Sequence, residues 1–229
     1  MARPKNADGQ RTRQAILDAA LDLFAEKGYF GTSLREVAAT VGVRESALYH
    51  YFPGKESLFE ALIAADQHTK IERMSAALGE PGGDPRALLE RLALARLKGF
   101  MEPRQQQLFR ILMSDGVRMA RAGRLNLVER MSTGQAWLQD VMRQLTRLDQ
   151  LRDADPEMLA LSFAAPLAIW RQLHAIKADA PIVRNPRAFA RKHVEQFLRG
   201  AGRPPAARRA PAAKRRVPRA SRAASRASQ

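Results

Sequence analysis

The sequence predicts an all-α protein: an N-terminal three-helix helix-turn-helix unit joined by a long helix to a larger helical body. Three observations predict it. Apolar residues recur at three- and four-residue spacing, no strand-like pattern occurs beyond Pro85, and several apolar runs open at or just after proline. Proline is tolerated in a first helical turn, where the N–H it lacks would be unpaired anyway.

Residues 1–10 read as a flexible basic arm. From Arg11 to Lys27, Ile16, Leu17, Ala20, Leu23 and Phe24 share one face, with Arg13, Asp18, Asp22 and Glu26 on the other. Gly28 suits a left-handed cap that ends this first helix. Thr32 or Ser33 caps a second helix, and Glu36 stands three residues after Ser33 as in a capping box; its buried side is Leu34, Val37, Ala38 and Val41. Gly42 makes a turn. A third helix runs from about Arg44 to Tyr51, anchored by Leu48 and Phe52, and Pro53-Gly54 breaks the chain. A fourth runs from Lys55 to Leu78 through Leu58, Leu62, Ile71, Met74 and Leu78, up to the turn-rich GEPGGDP of residues 79–85. Further helices are expected at Arg86 to Met101, Pro103 to Met119 with a break near Gly116, Leu125 to Leu148, Pro156 to Ala178 and Pro186 to Arg199. The expected division is an arm (1–10), a helix-turn-helix domain (11–56), a larger helical domain (57–200) and a disordered basic tail (201–229).

A chain of 229 residues can bury a real core without staples. With no cysteine it has no disulfide, thiolate nucleophile or cysteine metal ligand, and a reducing cytoplasm is its natural setting. The start, MARPKNADGQRTRQ, is polar and basic, unlike a secretory signal, and the apolar run Met158 to Trp170 falls short of the roughly 20 residues a membrane span needs. His50, His68, His174 and His193 show no metal-ligand spacing, so neither metal nor cofactor is expected. No GxSxG, GxxxxGKS/T or dinucleotide fingerprint supports an enzyme. The net charge is +16, but residues 201–229 carry nine Lys or Arg and no acid, leaving +7 for the rest. That tail lacks the apolar surface needed to order itself. It reads either as a polycation that adds non-specific DNA affinity or as a tolerated extension.

The stretch Gly28 to Leu58 carries the function. Two short helices around a glycine turn, an aromatic cluster and a lysine opening the next helix form the layout of a reader of duplex DNA. Its third helix would enter the major groove with its first turn against base edges, making Arg44, Glu45, Ser46 and Ala47 the specificity candidates. Arginine can bind guanine bidentately, glutamate can accept from cytosine and alanine can touch a thymine methyl. Glu45 either reads cytosine or steers Arg44 or Arg35. Thr32 and Ser33 can donate hydroxyl protons to phosphate beside a helix start.

The run GTSLREVAATVGVRESALYHYFPGKESLFEALI resembles the DNA-binding domain of the TetR family of transcriptional regulators, over about residues 10–65. The resemblance rests on the ordered combination of Thr32, the VGV turn, the LYHYF block and the lysine four residues after Tyr51. It implies that Tyr49 contacts a phosphate or base, that His50 lies near the groove, that Lys55 holds a phosphate and that Arg35 can reach a base. It also implies a homodimer on a palindromic operator, usually released when a small molecule occupies the C-terminal domain.

The second half must supply the partner surface. The helix PEMLALSFAAPLAIWRQLHAI is apolar on most of its circumference and must be covered on both sides, most simply by a second copy. Leu161, Ala165, Ile169 and Ile176, with Phe189, Val194 and Phe197 of the last helix, are the expected four-helix dimer interface; a central helix in a monomeric bundle is the alternative. Two readers held roughly 34 Å apart would double the contacts and set the operator symmetry. An adaptable apolar pocket would be lined by Phe100, Met101, Phe109, Met113, Met131, Trp137, Met142, Phe163 and Trp170, with His174 as a core histidine, an interfacial hydrogen-bonder or a polar handle for ligand. Two alternatives to a ligand-released repressor are a TetR-type regulator with no small-molecule inducer and a helical adaptor or enzyme with a reader-like N-terminus.

Overall fold

A computed structural model describes residues 5–79 and 83–202; side chains of residues 5–7 and 127–131 lie outside that description, as do residues 1–4 of the arm and 203–229 of the tail. Among the described residues the chain is helical throughout, with one isolated bridge between Leu151 and Gly202. No described helix is long and apolar enough to cross a membrane.

Helix α1 (Lys5–Gly31) starts at Lys5, so residues 5–10 are not the loose arm expected. Only Gly9 opposes a helix there, Asp8 complements the helix dipole in the first turn, and the Thr12 hydroxyl donates to the Asp8 carbonyl. Gly28 has the positive φ anticipated (75°), but its ψ of 164° is extended. The chain therefore kinks and makes one more turn through Gly31 instead of stopping. Helix α2 (Leu34–Val41) is capped by Ser33, and both halves of the capping box with Glu36 form. Gly42 (φ 77°, ψ 27°) closes it in the left-handed conformation. Helix α3 (Glu45–Tyr51) then lies across α2, held by the buried Leu48 and Phe52.

Helix α4 (Lys55–Leu78) spans about 36 Å and links the two cores. Its first half places Leu58, Phe59, Leu62 and Ile63 in an N-terminal core with Ile16, Leu17 and Phe24; Met74 belongs to a second core. Beyond it lie α5 (Pro85–Met101) and α6 (Pro103–Ile111), α5 capped by Asp84, which accepts from the Arg86 and Ala87 N–H groups. The break expected near Gly116 is instead a π-helical turn, Leu112–Gly116, which runs directly into α7 (Val117–Arg121). Leu108, Ile111 and Met119 of this region pack into the N-terminal core. The turn also brings Asp115 to the α1 kink, where its Oδ2 accepts the Tyr29 N–H at 2.8 Å.

The second core is built by α8 (Leu127–Arg147), α9 (Pro156–Ile176) and α10 (Pro186–Ala201) against α5. Here the expectation for α10 needs correction. Val194 and Phe197 are buried within the protomer and Phe189 packs against the same core, with the Phe163 and Phe197 rings 5.3 Å apart. An amphipathic stripe must be covered, and α5 and α9 of the same chain already cover this one. Val194 and Phe197 are thereby covered within the protomer, whereas Phe189 remains half-buried.

Candidate nucleic-acid interface

The first turn of α3 points outward. Arg44 is its N-cap in extended conformation, makes no side-chain capping bond and is exposed, as are Glu45 and Ser46; Ala47 is half-buried beside Leu48. Tyr49 is 48% exposed, and His50 is exposed next to Tyr51, which packs partly on the N-terminal core. Arg35 is exposed on the first turn of α2. Among the described residues neither Glu45 nor Arg44 forms an ion pair. The result is a ridge of exposed hydrogen-bonding groups, cationic at Arg44 and anionic at Glu45, on a helix anchored from below.

Three residues expected on phosphate are engaged in bonds within the protein. Thr32 is only 2% exposed, and its hydroxyl donates to the carbonyls of Leu23 and Gly28 at 3.1 and 3.0 Å. It staples the kinked end of α1. The Ser33 hydroxyl is engaged with Glu36, donating to Oε2 at 2.8 Å and accepting the Glu36 N–H at 3.2 Å. The Lys55 ammonium donates to the carbonyls of Tyr29 and Thr32 at 2.9 and 2.8 Å and stands 4.5 Å over the Tyr29 ring. Burial pushes its pKa down. Two of its three protons are thus committed to the backbone between α1 and α2.

Glu36 organises the same corner. It accepts from Ser33 N at 2.8 Å and from Lys27 Nζ at 2.8 Å, and the Lys27 bond, then the Ser33 bonds, hold its carboxyl at about 2 against an ordinary 4.5. The capping box stays ionised at any physiological pH. A Thr32→Val exchange removes the staple while keeping the shape. It should cost about 1 kcal/mol, a fall in Tm of about 2–4 °C, with operator affinity measured well below that Tm unchanged. Were Thr32 a phosphate ligand, operator affinity would fall at every ionic strength with the slope unaltered, because a neutral hydroxyl displaces no counterion. Thermal melts and operator titrations at fixed salt separate the two.

Beyond this corner, along α4, a cavity of about 420 Å³ opens between α4, α5, α6, α8 and α9. Of the pocket residues expected from sequence, Phe109, Met113 and Phe163 line it. Phe100, Met142 and Trp170 are buried in packing outside its wall, Met101 is exposed, Trp137 packs beside the second core, and the Met131 side chain lies outside the described residues. His174 stacks on Trp170 at 4.9 Å, with its Nδ1 buried and unpaired, and is not on the wall either. Among the wall residues missed are four charged ones, Asp66, Lys70, Arg96 and Arg171. A wider cleft of about 510 Å³ between α5 and α10 is lined by Arg91, Arg187 and Arg191 with Glu90 and Asn185, alongside Leu94 and three alanines.

The outer face of α9 carries an apolar row at helical spacing. Leu161 is 48%, Ile169 53% and Ile176 82% exposed, and Ala165 is exposed between them. Such a row has no internal partner. Leu161, Ala165 and Ile169 also form one lip of the cavity, which therefore borders this face.

Comparison with known proteins agrees with both the reader and the fold. The family model described as bacterial regulatory proteins, tetR family, matches residues 16–62. The uncharacterized HTH-type transcriptional regulator TtgW of Pseudomonas putida is 32% identical over 117 residues, covering 51% of this chain and 84% of TtgW. The HTH-type transcriptional repressor BepR of Brucella suis is 33% identical over 111 residues, covering 48% of this chain and 53% of BepR. The chain spans about half the length of most of the curated relatives it matches. Among solved structures, a TetR-family transcriptional regulator from Pectobacterium atrosepticum superimposes with a TM-score of 0.62 at 26% identity, over 87% of this chain and 98% of that one. These relatives are described as transcriptional regulators, not enzymes.

Proposed function

This chain belongs to the TetR family of transcriptional regulators, and from that premise we propose that it is a homodimeric repressor, released from a palindromic DNA operator when a small amphipathic ligand fills its central cavity. It would act on DNA in the bacterial cytoplasm. The observation that carries the reading is the outward first turn of α3, where Arg44, Glu45, Ser46 and Tyr49 stand free above an anchored helix. Arg44 and Glu45 are the base readers, Ala47 and Tyr49 flank them, and Arg35 and His50 reach the groove edge. Thr32, Ser33 and Lys55 hold the corner that presents α3.

Coupling follows from two elements that touch both the cavity and the reader. One is α4, which contributes Ile63, Asp66, Gln67 and Lys70 to the cavity and Leu58 and Phe59 to the N-terminal core. The other is the π-turn, whose Leu112 and Met113 line the cavity while Asp115 holds the α1 kink. A ligand that favours a different placement of either would change the spacing of paired α3 helices. Near-complete switching takes a differential affinity of about 5.5 kcal/mol. A cavity in the size range of small-molecule sites favours this reading over a regulator without an inducer.

The test is base by base. Arg44→Ala should alter preference at one position of each half-site by about 1–3 kcal/mol, leaving other positions unchanged. Binding to a set of single-base operator variants measures it. A uniform loss at every position would remove Arg44 from base reading.

A further inference from the structure

The cavity is apolar over most of its wall, with Ile63, Leu92, Leu138, Phe163 and Leu167 among its lining, yet it also holds three cations and one carboxylate. Asp66, whose side chain is 8% exposed, is already paired with Lys70 and receives a hydrogen bond from Gln105. That leaves two arginines which feel the Asp66 charge but have no direct salt bridge of their own. Among the described residues neither Arg96 nor Arg171 has a carboxylate within 4 Å. The polar contact made by Arg96 is with the Met74 sulfur at 3.6 Å, and Arg171 Nε is buried with no hydrogen-bond partner. Both guanidinium groups stand over the same Phe100 ring, 5.1 and 5.0 Å from its centroid, and Arg171 also lies 4.0 Å over Phe109.

This arrangement is costly without an occupant. Two like charges in a weakly polar site repel, and an unpaired buried guanidinium loses its hydration without replacement. Burial, and then the neighbouring Arg96, push the Arg171 pKa down to about 10, so it still carries its charge at neutral pH. Contact with aromatic rings restrains both guanidinium groups while leaving N–H donors for an occupant, and a guanidinium fork fits a planar or tetrahedral oxyanion.

We infer that the cavity binds an amphipathic organic anion, whose carboxylate or phosphate head is held by Arg96 and Arg171 and whose hydrocarbon body lies against the apolar wall. This rests on the reading that the cavity receives the ligand. It narrows the class: cationic amphiphiles are excluded by the +2 balance of the four charged groups, and neutral ones leave both guanidinium groups unpaired.

The test uses the full-length protein and four probes sharing one tail: decanoate, decyl phosphate, decanol and decyltrimethylammonium. Calorimetry should show an anion binding at least tenfold more tightly than decanol, and the cationic probe binding least. Whether decanoate or decyl phosphate binds better identifies the head group. Arg171→Met should lose about 10- to 100-fold of the anion affinity while changing decanol affinity little. Its unliganded Tm should equal or exceed that of the parent, because an unpaired buried charge has been replaced by an apolar group. Equal affinity for decanoate and decanol, no anion binding at millimolar concentration, or an Arg171→Met protein that is destabilised with anion binding intact would overturn the inference and make the cluster structural. Operator release is scored separately. Anion-selective binding without release would leave the site assignment standing and refute the inducer role.

Discussion

Replacing Ile169 and Ile176 together by glutamate is expected to yield a folded monomer whose operator affinity is lower by about 10²–10⁴-fold. Both side chains are more than half exposed in the protomer, so the exchange removes little that holds the single chain together. In a dimer the same row would be buried, and two carboxylates on each copy would have to be desolvated without partners. The loss in affinity arises because a short α3 reads only a few base pairs, and linking two readers converts the second contact into an intramolecular one. Sedimentation, thermal melting and operator titration without ligand read the three quantities independently. A variant that stays dimeric would place the partner surface elsewhere; one that unfolds would make the row part of the protomer's own core.

Phe59→Ala should have the largest effect on stability. Phe59 is fully buried where α4 enters the N-terminal core, with its ring 5.7 Å from that of Phe24 and 5.3 Å from that of Tyr29. Truncation leaves a cavity and removes two aromatic contacts, at a cost of about 3–5 kcal/mol, a fall in Tm on the order of 10 °C. The same position joins the reader to the helix that lines the cavity. Operator affinity should therefore fall even at temperatures where most of the helix content persists. An unchanged melt would mean that the reader is not organised around this cluster.

The parts of the fold set by local chemistry are readable in advance. The Ser33/Glu36 capping box, the left-handed Gly42 and the Pro53-Gly54 break define α2, α3 and the start of α4 through contacts within a few residues. Those signals need no tertiary context. Sequence misleads where tertiary context decides. A threonine hydroxyl or a lysine ammonium donates equally well to phosphate or carbonyl, and only the fold brings Thr32 to Leu23 and Lys55 to Tyr29. The α10 stripe is recognisable as buried, but periodicity does not say whether the cover is the same chain or another.

The cavity is the hardest feature to read. Aromatic and methionine side chains mark apolar interiors in general, so the residues such a rule selects are mostly solid core. Asp66, Lys70, Arg96 and Arg171 come from three helices, and each alone resembles a solvated position on an amphipathic face. Their shared enclosure emerges only when α4, α5 and α9 are packed together. The π-turn leaves no sequence signal beyond Gly116, which reads equally as a break.

The central claim is that two outward α3 helices, held by one dimer, read a symmetric operator. Genomic DNA footprinting with the purified protein tests it most directly. The account predicts protected sites composed of two inverted half-sites, with centres about one helical turn or a small multiple of it apart. Protection indifferent to sequence, or confined to a single unpaired half-site, would contradict it.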